Sequence, residues 1–345
     1  MNDIERVFRG EEPFFIAEIG INHNGSLDAA AAMIREAASA GANAVKFQTF
    51  VPGEMYSRYT SSMLRNDERL VEDFSQIEFF GRFVLGEDEY RVLKKEAEAR
   101  GLVFFSSAFD IPSVEMLERL DVPIYKLASS EVTNTPLLER VGATRKPVIM
   151  STGMSTAAEV GGAVETLRAS GTRELVLLHC VALYPLPPES ANLSRISSLR
   201  AMFGLQVGFS DHAPDGTGCA LAAMLGARVF EKHFMLREGY DCPDAAVSLS
   251  PGAFRKMKDD VEKAIMMFGR GGIDYDFSEK GVANSARRSL FSRRLLRAGE
   301  VLRRDAIAVK RPGAGLPVAE MKRLLGRTLR RDVQEDYPLR PEDFE

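Results

Sequence analysis

The chain has 345 residues, 45% of them hydrophobic and 27% charged, with a formal net charge of −4. That length suits one large barrel plus a small appendage rather than a minimal domain, and the composition is that of a soluble globular protein. The mild acidity gives no reason to expect nucleic acid or an anionic membrane as partner, so an anionic ligand would need a local basic pocket.

The start of the chain, MNDIERVFRGEEP, is charged where a secretion signal needs an apolar core. No apolar run approaches the ~18 residues of a membrane span. Cys180, Cys219 and Cys242 are odd in number and lack C-x-x-C spacing, which argues against a disulfide framework and a zinc knuckle. A reducing cytoplasm is the expected location.

From Phe14 to about Gly269 one pattern repeats: a short apolar run, polar loop residues, then an alanine- and leucine-rich helical stretch. The predicted strands, in order, are FFIAEI, AVKFQT, LVFFSS, PIYKLAS, PVIMST, LVLLHC, LQVGFS and RVFEKHF. Helical stretches such as LDAAAAMIREAASAG and EDEYRVLKKEAEARG each close on a glycine suited to a left-handed cap. Alternation of near-continuous apolar strands with helices predicts an α/β fold with a covered parallel sheet, and eight units favour a (β/α)8 TIM barrel. An open doubly wound sheet is the alternative, weakened by the lack of G-x-G-x-x-G after the first strand.

Active sites of such barrels lie at the C-terminal ends of the strands. Those ends carry Glu18, Lys46, Gln48, Ser106, Ser107, Lys126, Ser129, Ser151, Thr152, His179, Ser210, Asp211, His212, Glu231 and His233. A period of two points Glu231 and His233 into the same interior. His212 and His233, on neighbouring strands, form a candidate pair for Mn, Co or Zn, against the bland reading of two hydrogen-bonded core histidines. Lys46 and Lys126 with Ser107, Ser129 and Ser210 make a candidate site for a compact dianion; the bland reading lays the lysine stems along the rim. NHNGS at 22–26 reads as a helix entry with Ser26 as N-cap, or as a ligand-facing loop through His23 and Asn24.

After Gly272 the composition turns basic, with short apolar runs broken by Gly and Pro, which predicts a small β-rich domain. The expected division is a barrel at 1–270, a linker at 271–286 and the β-rich domain at 287–345. LRRDAI at 302–307 echoes LRPEDF at 339–344.

FIAEIGINHNGS, VKFQTF, YKLASSEVTN, VIMSTGMST, LLHCVALYPLP, VGFSDH and FEKHF, in this order, resemble the bacterial sialic acid (N-acetylneuraminate) synthases, a family that includes the legionaminic and pseudaminic acid synthases. The C-terminal RRSLFSRRLLRAGEVLRRDAIAVKRPGAG is similar to the antifreeze-like (SAF, β-clip) domain of that family. The resemblance implies condensation of phosphoenolpyruvate with an N-acetylated amino-sugar aldehyde, giving a nine-carbon 2-keto acid and phosphate. It implies His212 and His233 as ligands of a divalent metal, Mn2+ with Mg2+ or Co2+ as alternatives, and Glu231 as catalytic acid or base. Lys46, Ser107, Lys126, Ser129 and Ser210 are then expected on phosphoenolpyruvate, and Gln48, Tyr184, Asp244 and Asn24 on the sugar. Arg311 is expected to reach the partner's site in a domain-swapped homodimer.

The chain departs from the family pattern at Ala108, Ala182, Cys242 and Ala245, and carries Asn24 where some relatives have Glu. Fewer polar groups near the sugar point to a di-acetamido trideoxy hexose. The competing readings are a metal-dependent hydrolase, which needs more histidines than the four present, and a non-catalytic carbohydrate-binding protein.

Overall fold

The structure is a computed structural model describing residues 7–61, 70–269, 271–272 and 277–345. It divides into two compact units, Met1–Gly269 and Arg270–Glu345. In the first, eight strands alternate with eight main helices: β1 (Phe14–Gly20), α1 (Leu27–Ser39), β2 (Ala44–Thr49), α2 (Glu87–Glu98), β3 (Val103–Ala108), α3 (Ile111–Arg119), β4 (Tyr125–Leu127) and α4 (Thr135–Ala143). β5 (Val148–Ser151), α5 (Ala157–Ser170), β6 (Leu175–Cys180), α6 (Arg195–Phe203), β7 (Gln206–Asp211), α7 (Thr217–Met224), β8 (Val229–His233) and α8 (Pro251–Phe268) follow. Every strand pairs in parallel with its neighbour in sequence, and β8 pairs with β1 to close the barrel. The alternative of an open sheet is thereby excluded.

Local sequence starts and stops these elements. Ser26, Asp110, Asn134 and Thr156 accept from backbone N–H groups at the starts of α1, α3, α4 and α5, each cap contributing about 1 kcal/mol. Gly41 and Gly101 follow α1 and α2 with φ of +85° and +73°, the left-handed geometry the sequence led us to expect.

Strand alternation builds two apolar layers. Phe15, Ala17, Val45, Phe47, Phe104, Leu177, Phe209 and Phe230 face the helices and pack with Met33, Leu93, Leu117, Leu167 and Phe254. Phe14, Ile16, Ala44, Phe105, Ile124, Ile149, Val176, Leu178 and Val229 fill the barrel interior. The same inward parity, continued towards the C-terminal ends, brings Glu18, Lys46, Ser107, Lys126, Ser151, Cys180, Ser210, Glu231 and His233 above that plug.

The fourth predicted strand ends earlier than expected. β4 stops at Leu127, and Ser129 begins a 3-10 turn, Ser129–Thr133. His212 lies one residue past β7. The connection from β2 to α2 adds a small antiparallel pair, Tyr59–Ser61 with Leu70–Glu72, that the sequence pattern did not suggest.

The second unit is built on β9 (Ser289–Ser292) paired antiparallel with β10 (Ile307–Lys310), extended by isolated bridges such as Leu296 to Val333 and Leu329 to Phe344. Its core gathers Leu290, Leu302, Ile307, Leu329, Leu339 and Phe344. The echoed segments fold alike, each making one 3-10 turn, Arg304–Ala306 and Pro341–Asp343. Residues 273–276 of the expected linker lie outside the described residues; further along it, Lys280–Ala286 is helical. Among the described residues no helix is long and apolar enough to cross a membrane.

Candidate active site

A cavity of about 350 Å3 opens above the barrel interior. Its walls include Glu18, Lys46, Gln48, Ser107, Lys126, Ser129, Ser151, Tyr184, Ser210, His212, Glu231 and His233. Ten of the predicted site residues therefore share one space, although they are drawn from most of the eight strands.

One side of the cavity is a chain of buried charge. Lys46 Nζ lies 2.7 Å from Glu18 Oε2 and 3.6 Å from Glu231 Oε2, and donates to Ser107 Oγ at 3.0 Å. Lys126 Nζ donates to Leu127 O at 3.0 Å and to Ser151 Oγ at 2.8 Å, with Glu231 Oε1 at 3.8 Å, beyond a normal hydrogen bond. Ser210 Oγ donates to Glu231 Oε1 at 2.9 Å. Ser129 Oγ accepts from Gly153 N–H at 2.9 Å, which leaves its own proton to donate.

The two carboxyls of this chain are held differently. Burial alone would raise Glu231, but Lys126 and Lys46 outweigh it and hold its pKa at about 2. For Glu18 burial prevails over Lys46, and its pKa is raised. Lys126 is lowered by burial; Lys46 is raised because Glu18 and Glu231 overcome its burial. The two carboxyls are thus pushed apart, Glu231 below and Glu18 above the ordinary carboxylate range.

The other side is aromatic. His212 Nδ1 donates to Val181 O at 2.8 Å, and its Nε2 accepts from the Tyr184 hydroxyl at 3.0 Å. Tyr184 stacks on His212 with ring centroids 4.1 Å apart, and His212 and His233 are 5.5 Å apart. Burial, reinforced by His233, lowers the His212 pKa to about 3, so the ring is neutral, as a metal ligand must be. His233 Nδ1 is 3.3 Å from Asp244 Oδ2. Each imidazole thus has a carbonyl or carboxylate behind one nitrogen, the arrangement that orients histidine ligands. Among the described residues no group of three or more His, Cys, Asp or Glu is arranged for a metal, so the pair suits an ion whose other positions are left to water and substrate.

Asn24 is not among the residues that line this wall. Asn24 is exposed, and its amide donates to Asp241 O at 2.8 Å, a bond that sequence spacing does not reveal. Arg311 belongs to the C-terminal unit, just past β10. Of the polar strand ends, His179 turns outward to Ala191 O, and Asp211 pairs with Lys232 at 3.2 Å, both fully buried against the helices. Glu18 and Ser151 are the wall residues left without a role by the sequence reading; inward parity on β1 and β5 was the signal that could have assigned them.

A closed parallel barrel with ionisable groups converging at its C-terminal mouth is the architecture of the (β/α)8-barrel enzymes. The chain belongs to the NeuB family, whose model matches residues 33–272, and a SAF domain matches residues 287–345. It is 32% identical to the N,N'-diacetyllegionaminic acid synthase of Campylobacter jejuni, over 96% of this chain and 99% of that one. It is likewise 32% identical to a pseudaminic acid synthase of the same species, over 96% of each. Its fold is similar to the crystal structure of the N-acetylneuraminic acid (sialic acid) synthetase of Leptospira borgpetersenii, with a TM-score of 0.72 and 31% identity over 79% of this chain and 90% of that one.

Proposed function

We propose that the protein is a nonulosonic acid synthase that condenses phosphoenolpyruvate with an N-acetylated amino-sugar aldehyde and releases phosphate. The observation that carries this reading is the pairing, in one cavity, of two buried ammonium groups with two imidazoles. Lys126 has an N–H not yet spent on a strong partner, Lys46 has one facing Glu231 at 3.6 Å, and Ser107, Ser129, Ser151 and Ser210 supply hydroxyls. An incoming phosphate would share with Glu231 the two ammonium groups that Glu231 now neutralises.

His212 and His233 would hold the divalent ion, with Mn2+ the expected species; Gln48 and Tyr184 line the sugar's end, and Asp244, off the wall behind His233, is the further sugar contact proposed. When bound, the ion supplies Lewis-acid polarisation of the aldehyde. C3 of phosphoenolpyruvate then bonds to the aldehyde carbon, water adds at C2, and phosphate leaves by C–O cleavage. The water loses both its protons: one ends on the aldehyde oxygen, and the other leaves with the phosphate as the C2 hydroxyl becomes the keto group. Glu18 is the better carrier of the first proton, while Glu231 stays ionised and orders the lysines.

The sugar is proposed to be a di-acetamido trideoxy hexose. Support comes from Ala182, which presents no polar group on the cavity wall, and from the relatives that make legionaminic and pseudaminic acids. Cys242 and Ala245 lie off the wall and no longer bear on the choice. We further propose a cytoplasmic homodimer in which Arg311 completes the partner's sugar site; the three cysteines, free and buried, suit a reducing compartment.

The test is phosphate release from phosphoenolpyruvate with N-acetylmannosamine or with the di-acetamido trideoxy hexoses as acceptor. Release with either supports the synthase reading, and the larger kcat/KM names the sugar. No release with any acceptor, at saturating Mn2+, rejects it. Chelation is expected to abolish turnover and Mn2+ to restore it.

A further inference from the structure

The turn after β1 contains a fully buried carboxamide, Asn22, that the reaction as described does not use. All of its bonding capacity goes to residues more than 200 positions away. Nδ2 donates to Phe234 O at 2.9 Å and to Ser248 Oγ at 2.9 Å, and Oδ1 accepts from Asp244 N–H at 3.0 Å. Ser248 Oγ in turn donates to Asp244 O at 2.8 Å. The two ends of this clamp are chemically significant, because Phe234 follows His233 directly and Asp244 carries the carboxylate 3.3 Å from His233 Nδ1. Phe234 is also fixed from the β1 side, where its N–H donates to Glu18 O at 2.8 Å.

We propose that Asn22 is a positioning residue that sets the Asp244 carboxylate against His233 Nδ1, so that the ring presents Nε2 to the cavity. The inference rests on the metal reading of His212 and His233 given above. The geometry explains why an amide is needed. A carboxamide offers two donors and an acceptor in one plane, and the clamp uses both kinds. Asp in its place has no N–H for Phe234 O or Ser248 Oγ, and Ala leaves a buried carbonyl and a buried N–H unpaired. Three bonds hold the Asp244 backbone: its N–H donates to Asn22 Oδ1, and its carbonyl accepts from Ser248 Oγ and, within the loop's own turn, from Val247 N–H at 3.1 Å, so two of the three pass through Asn22 or Ser248. Loss of the clamp frees the carboxylate to move, and outer partners of this kind alter metal affinity by about 10- to 100-fold.

Mn2+ binding to the chelator-treated full-length protein, read by electron paramagnetic resonance of the free ion, tests the idea without turnover. Asn22→Ala is expected to weaken Mn2+ at least tenfold, and Ser248→Ala, which removes one strand of the clamp, to weaken it less in the same direction. His233→Ala is the reference for loss of the site. If His233→Ala abolishes binding while folded Asn22→Ala and Ser248→Ala bind within twofold of wild type, the positioning role is overturned and the metal reading stands. If wild type and His233→Ala bind alike, the metal reading fails, and the double-mutant cycle of Asn22→Ala with Asp244→Ala on the sugar KM decides the remainder. Coupling through Asp244 requires that Asn22→Ala raise the sugar KM in the wild-type background and have little effect once Asp244 is Ala, with the phosphoenolpyruvate KM unmoved throughout. Additive effects in that cycle overturn the proposal as well.

Discussion

Glu231 lies 3.6 Å from one buried ammonium, Lys46, and 3.8 Å from another, Lys126. A carboxylate in that position works as a stand-in anion. Glu231→Gln is expected to cost roughly 3–5 kcal/mol of stability, the range for breaking a buried ion pair, and most of the turnover. Phosphoenolpyruvate should restore part of that stability by linkage, since a bound anion neutralises the same two charges; thermal unfolding with and without ligand measures it. Lys46→Met or Lys126→Met should raise the phosphoenolpyruvate KM by roughly 10- to 100-fold, from the 1.5–3 kcal/mol of a hydrogen bond to a charged group. The sugar KM should hardly move, and steady-state kinetics with each substrate varied shows whether it does.

At the scale of elements, β7 and β8 carry different chemistry on their two faces. Inward they present Ser210, Glu231 and His233; outward, Asp211 and Lys232 meet at 3.2 Å where the strands face α7. Lys232 Nζ also donates to Ala213 O, and Asp211 Oδ1 accepts from Ala213 N–H at 2.9 Å, so the pair braces the turn that follows His212. Removing one partner strands a buried charge. Lys232→Met is expected to destabilise by about 3–5 kcal/mol, and Lys232→Met with Asp211→Asn by clearly less than the sum of the two singles. Urea denaturation of the three variants reads the coupling, and additivity would show that the two charges do not depend on each other.

For the whole molecule, the division of labour between units is the quantity to measure. On the proposed homodimer, Arg311→Ala and Glu231→Gln chains, each expected to be inactive alone, should recover activity when co-folded, because one site of a mixed dimer would keep Glu231 from one chain and Arg311 from the other. Random pairing makes about half the dimers mixed with one intact site each, so recovery should approach about a quarter of wild type, with the guanidinium supplying forked donors to the sugar. No recovery, with mixed dimers shown to have formed, leaves the C-terminal unit serving its own chain.

The barrel was legible from sequence because its causes are local: apolar strands with a period of two, capped amphipathic helices, and a polar residue at each strand's end. That periodicity also assigned Glu231 and His233 to one interior, and the lysines and serines followed from the same rule. What the pattern lacks is any record of which partner each group meets. Sequence marked Glu18 as a polar strand end without showing that it meets Lys46, and did not show that Asp211 and Lys232 face outward as a pair. It gave no hint that Asn24 bonds to Asp241 while its neighbour Asn22 ties together residues more than 200 positions away. Parity along a strand is set by backbone geometry and is written in adjacent residues. Hydrogen bonds and ion pairs between distant segments depend on distances that exist only once the eight strands have closed.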